Sequence, residues 1–122
     1  ILELTKMLNR EAIEIQREFR SNEAVCGSLI DTFQLIANKC RFRIICTLTR
    51  GDFCVNDIAE IIGETKVSNI SQHLKILRLA GLISVQREEK RMVYSLADER
   101  IREMVDFFRS HFLEPKSTEE NK

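Results

Sequence analysis

Hydrophobic and polar positions fall into helical periods over most of this chain and switch once, near its end, to strict alternation. Residues 3–20 place Leu4, Leu8, Ile15 and Phe19 at helical spacing among Glu and Arg residues three or four apart, the pattern of a partly solvated helix. Ser21-Asn22 breaks it, and residues 28–37 predict a second, strongly apolar helix. Asn38 is placed to cap a third helix by accepting a bond from an unsatisfied backbone N–H. That helix runs to about Arg50 with Phe42, Ile45, Leu48 and Thr49 as its core stripe, and Gly51 offers a left-handed cap at its end. Residues 56–62 predict a short helix with Ile58, Ala59 and Ile62 inward and Gly63 as its stop. Thr65 is the expected cap of the next helix, which reaches Ala80 and stops at Gly81.

Beyond Gly81 the period becomes two. Leu82–Arg87 and Arg91–Leu96 alternate as the strands of a hairpin. The connecting Arg87-Glu-Glu-Lys-Arg91 holds neither glycine nor Asn-Gly, which predicts a longer, flexible tip. Asp98 caps a last helix whose stripe is Ile101, Met104, Val105, Phe108 and Phe112. This order predicts an α+β, mostly α fold: a winged helix-turn-helix with extra N-terminal and C-terminal dimerisation helices. Those end helices carry more apolar face than a three-helix core can cover, and two-fold packing is the remedy. The expected organisation is an N-terminal helical arm over 1–22, the winged domain over 23–114 and a disordered polar tail over 115–122.

Composition agrees with one small domain: 43% of the 122 residues are apolar and spread evenly. No apolar run approaches the roughly 20 residues of a membrane span. Cys26, Cys40, Cys46 and Cys54 form no CxxC pair and follow no secretory leader, so they are expected as reduced thiols in a cytoplasm. Net charge is zero, which taken alone speaks against nucleic acid, but its distribution is uneven. Residues 51–65 carry Asp52, Asp57, Glu60 and Glu64 and no base. Residues 66–96 carry Lys66, Lys75, Arg78, Arg87, Lys90 and Arg91 against Glu88 and Glu89 alone.

The helix over 65–80 is therefore basic, and its first two turns hold Ser68, Asn69, Gln72 and His73, with Ser71 beside them, while Ile70, Leu74 and Leu77 point inward. In a helix-turn-helix the second helix puts its N-terminal residues on base edges in the major groove. Asn and Gln suit adenine, and the usual guanine reader, Arg, is missing from this face, so an A·T-leaning site is expected. Lys66, Lys75 and Arg78 are placed for phosphates, and Arg87, Lys90 and Arg91 for the backbone or minor groove near the wing tip. An ordinary solvated helix followed by a hairpin would explain the helix alone. It would not explain the helix–glycine–hairpin order together with the local charge reversal.

These elements resemble the ArsR/SmtB family of bacterial winged-helix repressors. The similarity rests on Ile36-Ala-Asn-Lys-Cys-Arg-Phe-Arg-Ile-Ile-Cys-Thr-Leu48, Asp52-Phe-Cys-Val-Asn-Asp-Ile-Ala59, Ile70-Ser-Gln-His-Leu-Lys-Ile-Leu77, Ala80-Gly-Leu-Ile83 and Met92-Val-Tyr-Ser-Leu96, covering about residues 29–114. The region around Glu64-Thr65 is one residue longer than the commonest family form. The resemblance implies a homodimer that occupies a pseudo-palindromic duplex operator and leaves it when an inducer binds. Implied inducers are arsenite, antimonite, metal ions, or reactive sulfur and oxygen species.

The family's sensing patterns are each met only in part. Where it carries Cys-Val-Cys, this chain has Cys54-Val55-Asn56. Cys54 as a soft-metal ligand would need other thiolates, such as Cys26 from a partner's arm; its other reading is a small buried hydrophobe. Where the family binds metal on its last helix, this chain offers Asp98, Arg100, His111 and Glu114, a cation standing in a ligand's place. Arg100 is expected to bridge Asp98 to the partner's Glu114; without it the set reduces to a cap, an interface histidine and a solvated glutamate. Cys46 matches the first cysteine of the sulfur-responsive branch, whose second position holds Leu113 here. Cys40 lies about 240° around the helix from Cys46, which prevents a bond between them; Cys54 or Cys26 would have to serve, and Cys46 otherwise reads as structural.

The function expected is a non-enzymatic, cytoplasmic, homodimeric repressor released through its cysteines, by arsenite or a soft metal ion ahead of a thiol-redox or reactive-sulfur signal. A winged-helix protein–protein adaptor fits the zero net charge but not the basic, Asn/Gln-bearing helix. An enzyme lacks support: there is no nucleotide-binding glycine loop, and the two histidines lie on separate elements.

Overall fold

The computed structural model describes residues 9–113, in two compact units divided between Leu35 and Ile36. In the first, α1 (Arg10–Ser21) and α2 (Glu23–Ile36) follow one another with only Asn22 between them. The break at Ser21-Asn22 is where the sequence puts it, but α2 begins five residues earlier than the apolar run. Leu4 and Leu8 lie outside the described residues, as does the 115–122 tail.

The second unit is built on α3 (Lys39–Leu48), α4 (Val55–Ile62) and α5 (Val67–Leu79), which pack on one another. Asn38 caps α3 as expected, its Oδ1 accepting from the Arg41 N–H at 3.0 Å. The α3 core stripe differs from expectation: Ile44, Ile45 and Leu48 are fully buried, whereas Phe42 is 36% exposed. Both Phe42 and Ile44 sit at helical spacing from Leu48 or Ile45, and it is Ile44 that is buried where α3 packs on α4 and α5. Gly51 does not form a left-handed cap either; only Gly63 and Gly81 among the glycines have positive φ. What Gly51 supplies is room, since a Cβ there would lie 3.3 Å from the Phe53 ring.

Gly63 (φ 89°) stops α4, its N–H bonding the Ala59 carbonyl, and Gly81 (φ 83°) follows α5. Thr65 does not cap α5. Lys66 holds the cap position without a side-chain cap bond, and its own N–H donates to Glu64 Oε1 at 3.0 Å.

The sheet is three-stranded and antiparallel in the order β1-β3-β2: β1 (Phe53–Cys54), β2 (Ile83–Glu88) and β3 (Arg91–Leu96). The two-residue β1 has too few residues to show alternation, and the sequence reading missed it; it pairs Phe53 with Tyr94 and Cys54 with Val93. The wing tip is also tighter than expected. Pairing continues to Glu88 and Arg91, leaving Glu89 and Lys90 as the turn, with Glu89 in the left-handed region at φ 57°. Arg87 Nε closes this turn by donating to the Glu89 carbonyl at 3.3 Å.

Asp98 caps α6 (Glu99–Phe108), which ends in a π turn over Arg109–Leu113. Ile101 and Val105 are buried and Met104 half-buried, but Phe108 and Phe112 stay 38% and 68% exposed, each stacked on the other. No described helix is long and apolar enough to cross a membrane.

Candidate nucleic-acid interface

α5 is anchored from beneath by Ile70, Leu74 and Leu77, all with no exposed surface. This spacing fixes its rotation and turns Ser68, Asn69, Ser71 and Gln72 outward; all four are exposed, in the first turns after the Lys66 cap. His73 is placed differently. It is half-buried, and its Nδ1 is shut off from solvent without a hydrogen-bond partner. Only the rest of its ring is available to a ligand.

Lys66, Lys75 and Arg78 are exposed along α5, and Arg87, Lys90 and Arg91 are exposed at the wing tip. The short turn brings Arg87, Lys90 and Arg91 within five residues of β-hairpin, with Glu88 and Glu89 between them. The cations therefore fall into two groups, one on the helix and one on the wing. Val67, 38% exposed at the start of α5, was not singled out from the sequence. An exposed β-branched residue at a helix start was the available signal, and its methyls offer the kind of surface that meets a thymine methyl. Together the outward face supplies hydrogen-bonding amides, hydroxyls and an apolar edge between two sets of phosphate-compatible cations.

All four cysteines are free and half-buried. Cys54 occupies the cap position of α4 while belonging to β1, so it stands at the junction of helix-turn-helix and sheet. Cys46, on α3, has its thiol pushed up by burial, an effect that the nearby Arg109 guanidinium opposes. Cys40 borders an open cleft of about 240 Å³ with Lys39, Arg43 and Glu64. Burial first, then Glu64, raises its thiol, with Arg43 and Arg41 pulling the other way. Cys26 lies on α2 in the other unit.

At the start of α6, Asp98 is already committed. Its Oδ1 accepts from the Arg100 N–H and Nε, both at 3.0 Å, and Oδ2 accepts from Arg100 Nη2 at 2.8 Å. Arg100 thus engages Asp98 of its own chain as a two-pronged fork. His111 Nδ1 lies 2.8 Å from the Phe107 carbonyl and 3.1 Å from Ser110 Oγ, its ring stacked on Phe107. Glu114 lies outside the described residues. No three described His, Cys, Asp or Glu side chains converge into a metal-holding group within one chain.

A family model described as "Bacterial regulatory protein, arsR family" matches residues 38–85, which span α3 to the middle of the wing's first strand. The chain is 30% identical over 81 residues to the biofilm growth-associated repressor of Agrobacterium fabrum, covering 66% of this chain and 68% of that protein. It is 33% identical over 75 residues to a cadmium resistance transcriptional regulatory protein CadC homolog of Staphylococcus aureus, covering 61% of each. The chain thus spans about two thirds of the length of these relatives. Among solved structures, the homodimeric winged helix-turn-helix DNA-binding domain of a possible ArsR-family regulator from Mycobacterium bovis superposes with a TM-score of 0.64 at 25% identity, over 73% of this chain and 82% of that one. With the helix-turn-helix and wing in place and matched in order, the chain belongs to the arsR family of bacterial regulatory proteins.

Proposed function

We propose that this chain is a cytoplasmic, homodimeric, DNA-binding transcriptional repressor that releases a pseudo-palindromic, A·T-leaning operator when an inducer engages its cysteines. The observation that carries the DNA reading is the exposed face of α5, where Ser68, Asn69, Ser71 and Gln72 stand outward above a fully buried Ile70-Leu74-Leu77 stripe. Asn69 and Gln72 serve adenine edges, and the remaining rim of His73 adds a third polar contact. Lys66, Lys75, Arg78, Arg87, Lys90 and Arg91 hold phosphates on either side.

Arsenite, antimonite or a soft divalent metal is the favoured inducer, with Cys54 as its first ligand. Its place at both the β1 end and the α4 cap lets a ligand there displace the DNA-reading helices directly. The cadmium-resistance name of the Staphylococcus relative points the same way. The remaining thiolates would come from Cys26, Cys40 or Cys46, which within one chain do not converge with Cys54. A second reading, release by a thiol-oxidising or reactive-sulfur signal, would act through Cys46, whose thiol burial pushes up and the Arg109 guanidinium offsets only in part.

The test is fluorescence anisotropy of the protein on DNA from upstream of its own gene, titrated with arsenite, Cd(II), Zn(II) and a persulfide donor. Release by one inducer that Cys54→Ser or Cys46→Ser abolishes supports the reading and names the sensor. Tight DNA binding indifferent to all four would retire the cysteine-sensing part, and no DNA binding would retire the repressor.

A further inference from the structure

The first turn of α3 and the turn between α4 and α5 enclose the open cleft of about 240 Å³ that Cys40 borders. Its walls are Lys39, Cys40 and Arg43 on α3, with Ile62, Gly63 and Glu64 at and just beyond the end of α4. Lys39 and Arg43 are exposed, and neither side chain enters an ion pair or hydrogen bond among the described residues. The carboxylate in the wall is already engaged. Glu64 Oε1 accepts the Lys66 N–H at 3.0 Å, and the Lys66 side chain is itself exposed at the α5 cap. Glu60, one turn earlier, does not line the cleft. Burial first and then Glu64 raise the Cys40 thiol, so the sulfur adds no second negative charge near neutral pH. Three cations therefore stand around one committed carboxylate, beside the start of the reading helix.

We propose that this cleft seats a phosphate of the DNA backbone, held by Lys39 and Arg43, so that α3 grips the duplex alongside α5 and the wing tip. The inference rests on the DNA-binding reading above and extends it to an element that the reading leaves out. Position carries it. A helix with its side chains is about 10–12 Å across and fills a major groove about 12 Å wide, so whatever flanks its inserted end meets the phosphates bordering the groove. Only Thr65 separates Glu64, in the cleft wall, from the Lys66 cap of α5. The cleft is thus continuous with the polar face that begins at Ser68. Charge agrees, since the unpaired cations suit a phosphodiester and outnumber the carboxylate. Size agrees as well: the volume is several times the roughly 30 Å³ share of a water, so a phosphate enters with part of its hydration. A guanidinium can fork two phosphate oxygens, whereas an ammonium acts as a point charge. Arg43 accordingly fixes the orientation of the backbone and Lys39 adds attraction. Contacts of this kind set the register of the reading helix without reading sequence themselves.

The test is fluorescence anisotropy of the full chain on DNA from upstream of its own gene and on a scrambled duplex, across a range of salt. Lys39→Ala and Arg43→Ala should each flatten the log–log salt slope from its wild-type value by about 1 per contact removed. Both duplexes should weaken alike, about tenfold per contact at 0.1 M salt. Arg43→Lys should recover most of the loss, because it keeps the charge. Arg50→Ala removes an exposed cation just past the other end of α3 and should leave the slope unchanged. Urea midpoints of all four variants should match wild type, since these side chains are solvated. In the wild-type chain, saturating DNA should slow alkylation of Cys40 at least about fivefold by closing access to it, read by mass spectrometry of its peptide, and leave Cys26 unaffected. An unchanged slope in both alanine variants, or equal flattening by Arg50→Ala, would overturn the proposal while the repressor reading stands. Protection of Cys40 by inorganic phosphate as strong as by DNA would assign the cleft to a small anion and overturn it too. Failure of the wild-type chain to bind DNA at all would retire both.

Discussion

Arg109 donates to the Thr49 hydroxyl at 2.9 Å, and that hydroxyl in turn donates to the Cys46 carbonyl at 2.6 Å. Arg102 adds a second tie, donating to the Thr49 carbonyl at 2.5 Å. Two arginines seven apart on α6 and its π turn thereby fasten the last helix to the C-terminal end of α3, where the final carbonyls have no helical partner. Arg109→Ala should cost about 1 kcal/mol, the scale of one charged hydrogen bond discounted for partial exposure, read as a lower urea midpoint at unchanged slope.

The same substitution removes the charge that offsets burial at Cys46. The thiol should rise further, so alkylation of Cys46 at a fixed mildly alkaline pH should slow, measured by mass spectrometry of the Cys46 peptide. Faster alkylation with the fold intact would show that Arg109 shields the sulfur more than it activates it.

Glu89 sits at φ 57°, a conformation that costs a side-chain-bearing residue about 1 kcal/mol and glycine almost nothing. Glu89→Gly should therefore stabilise the chain by about 0.5 kcal/mol, after the added freedom of the unfolded glycine is subtracted. A higher thermal midpoint with DNA affinity unchanged is the expected result; a lower one would mean the Glu89 side chain contributes more than its strained backbone takes away.

The Arg100 guanidinium holds the Asp98 carboxyl below its ordinary value of 3.8, chiefly through the hydrogen bonds between the two side chains. A carboxyl lowered on folding stabilises the fold fully above its unfolded value, and that contribution is lost as pH falls through the lower folded value. Asp98→Asn keeps an oxygen for the cap and loses the charge. Its stability at pH 7 should fall modestly, and the gap from wild type should close as pH falls below about 4 and through the lowered folded value, followed by urea denaturation at successively lower pH.

On DNA, four phosphate contacts per subunit predict a log–log salt slope of about −7. Lys75→Ala should flatten that slope by about 1 per removed contact and weaken all sequences alike, whereas Gln72→Ala should leave it unchanged and narrow the difference between the operator and a scrambled duplex. A Gln72→Ala protein that flattens the slope instead would place Gln72 on the backbone.

Residues whose role is local were legible. Asn38 and Asp98 as caps, Gly63 and Gly81 as stops, and Ile70, Leu74 and Leu77 as an inward stripe each follow from neighbours within a turn or two. What sequence could not deliver depended on distant partners. Ile44 and Phe42 are equal candidates until α4 and α5 choose a side of α3, and β1 exists only because Tyr94 and Val93 lie beside it. The wing tip shows a different failure. Without a glycine to announce it, the tight turn is imposed by the ladder from Ile83 to Arg91 and tolerated as strain at Glu89. At the candidate site the outward polar residues were legible from periodicity, but the half-burial of His73 was not, because Nδ1 is enclosed by surroundings that helical spacing does not describe.

The pairing of Cys54 with Val93 has a mechanical corollary. One residue ends the strand that rides on the wing and opens the helix that supports the reader, with no flexible joint between. Wing and helix-turn-helix are therefore coupled at one residue, and a displacement of Cys54 would be passed to both of them together.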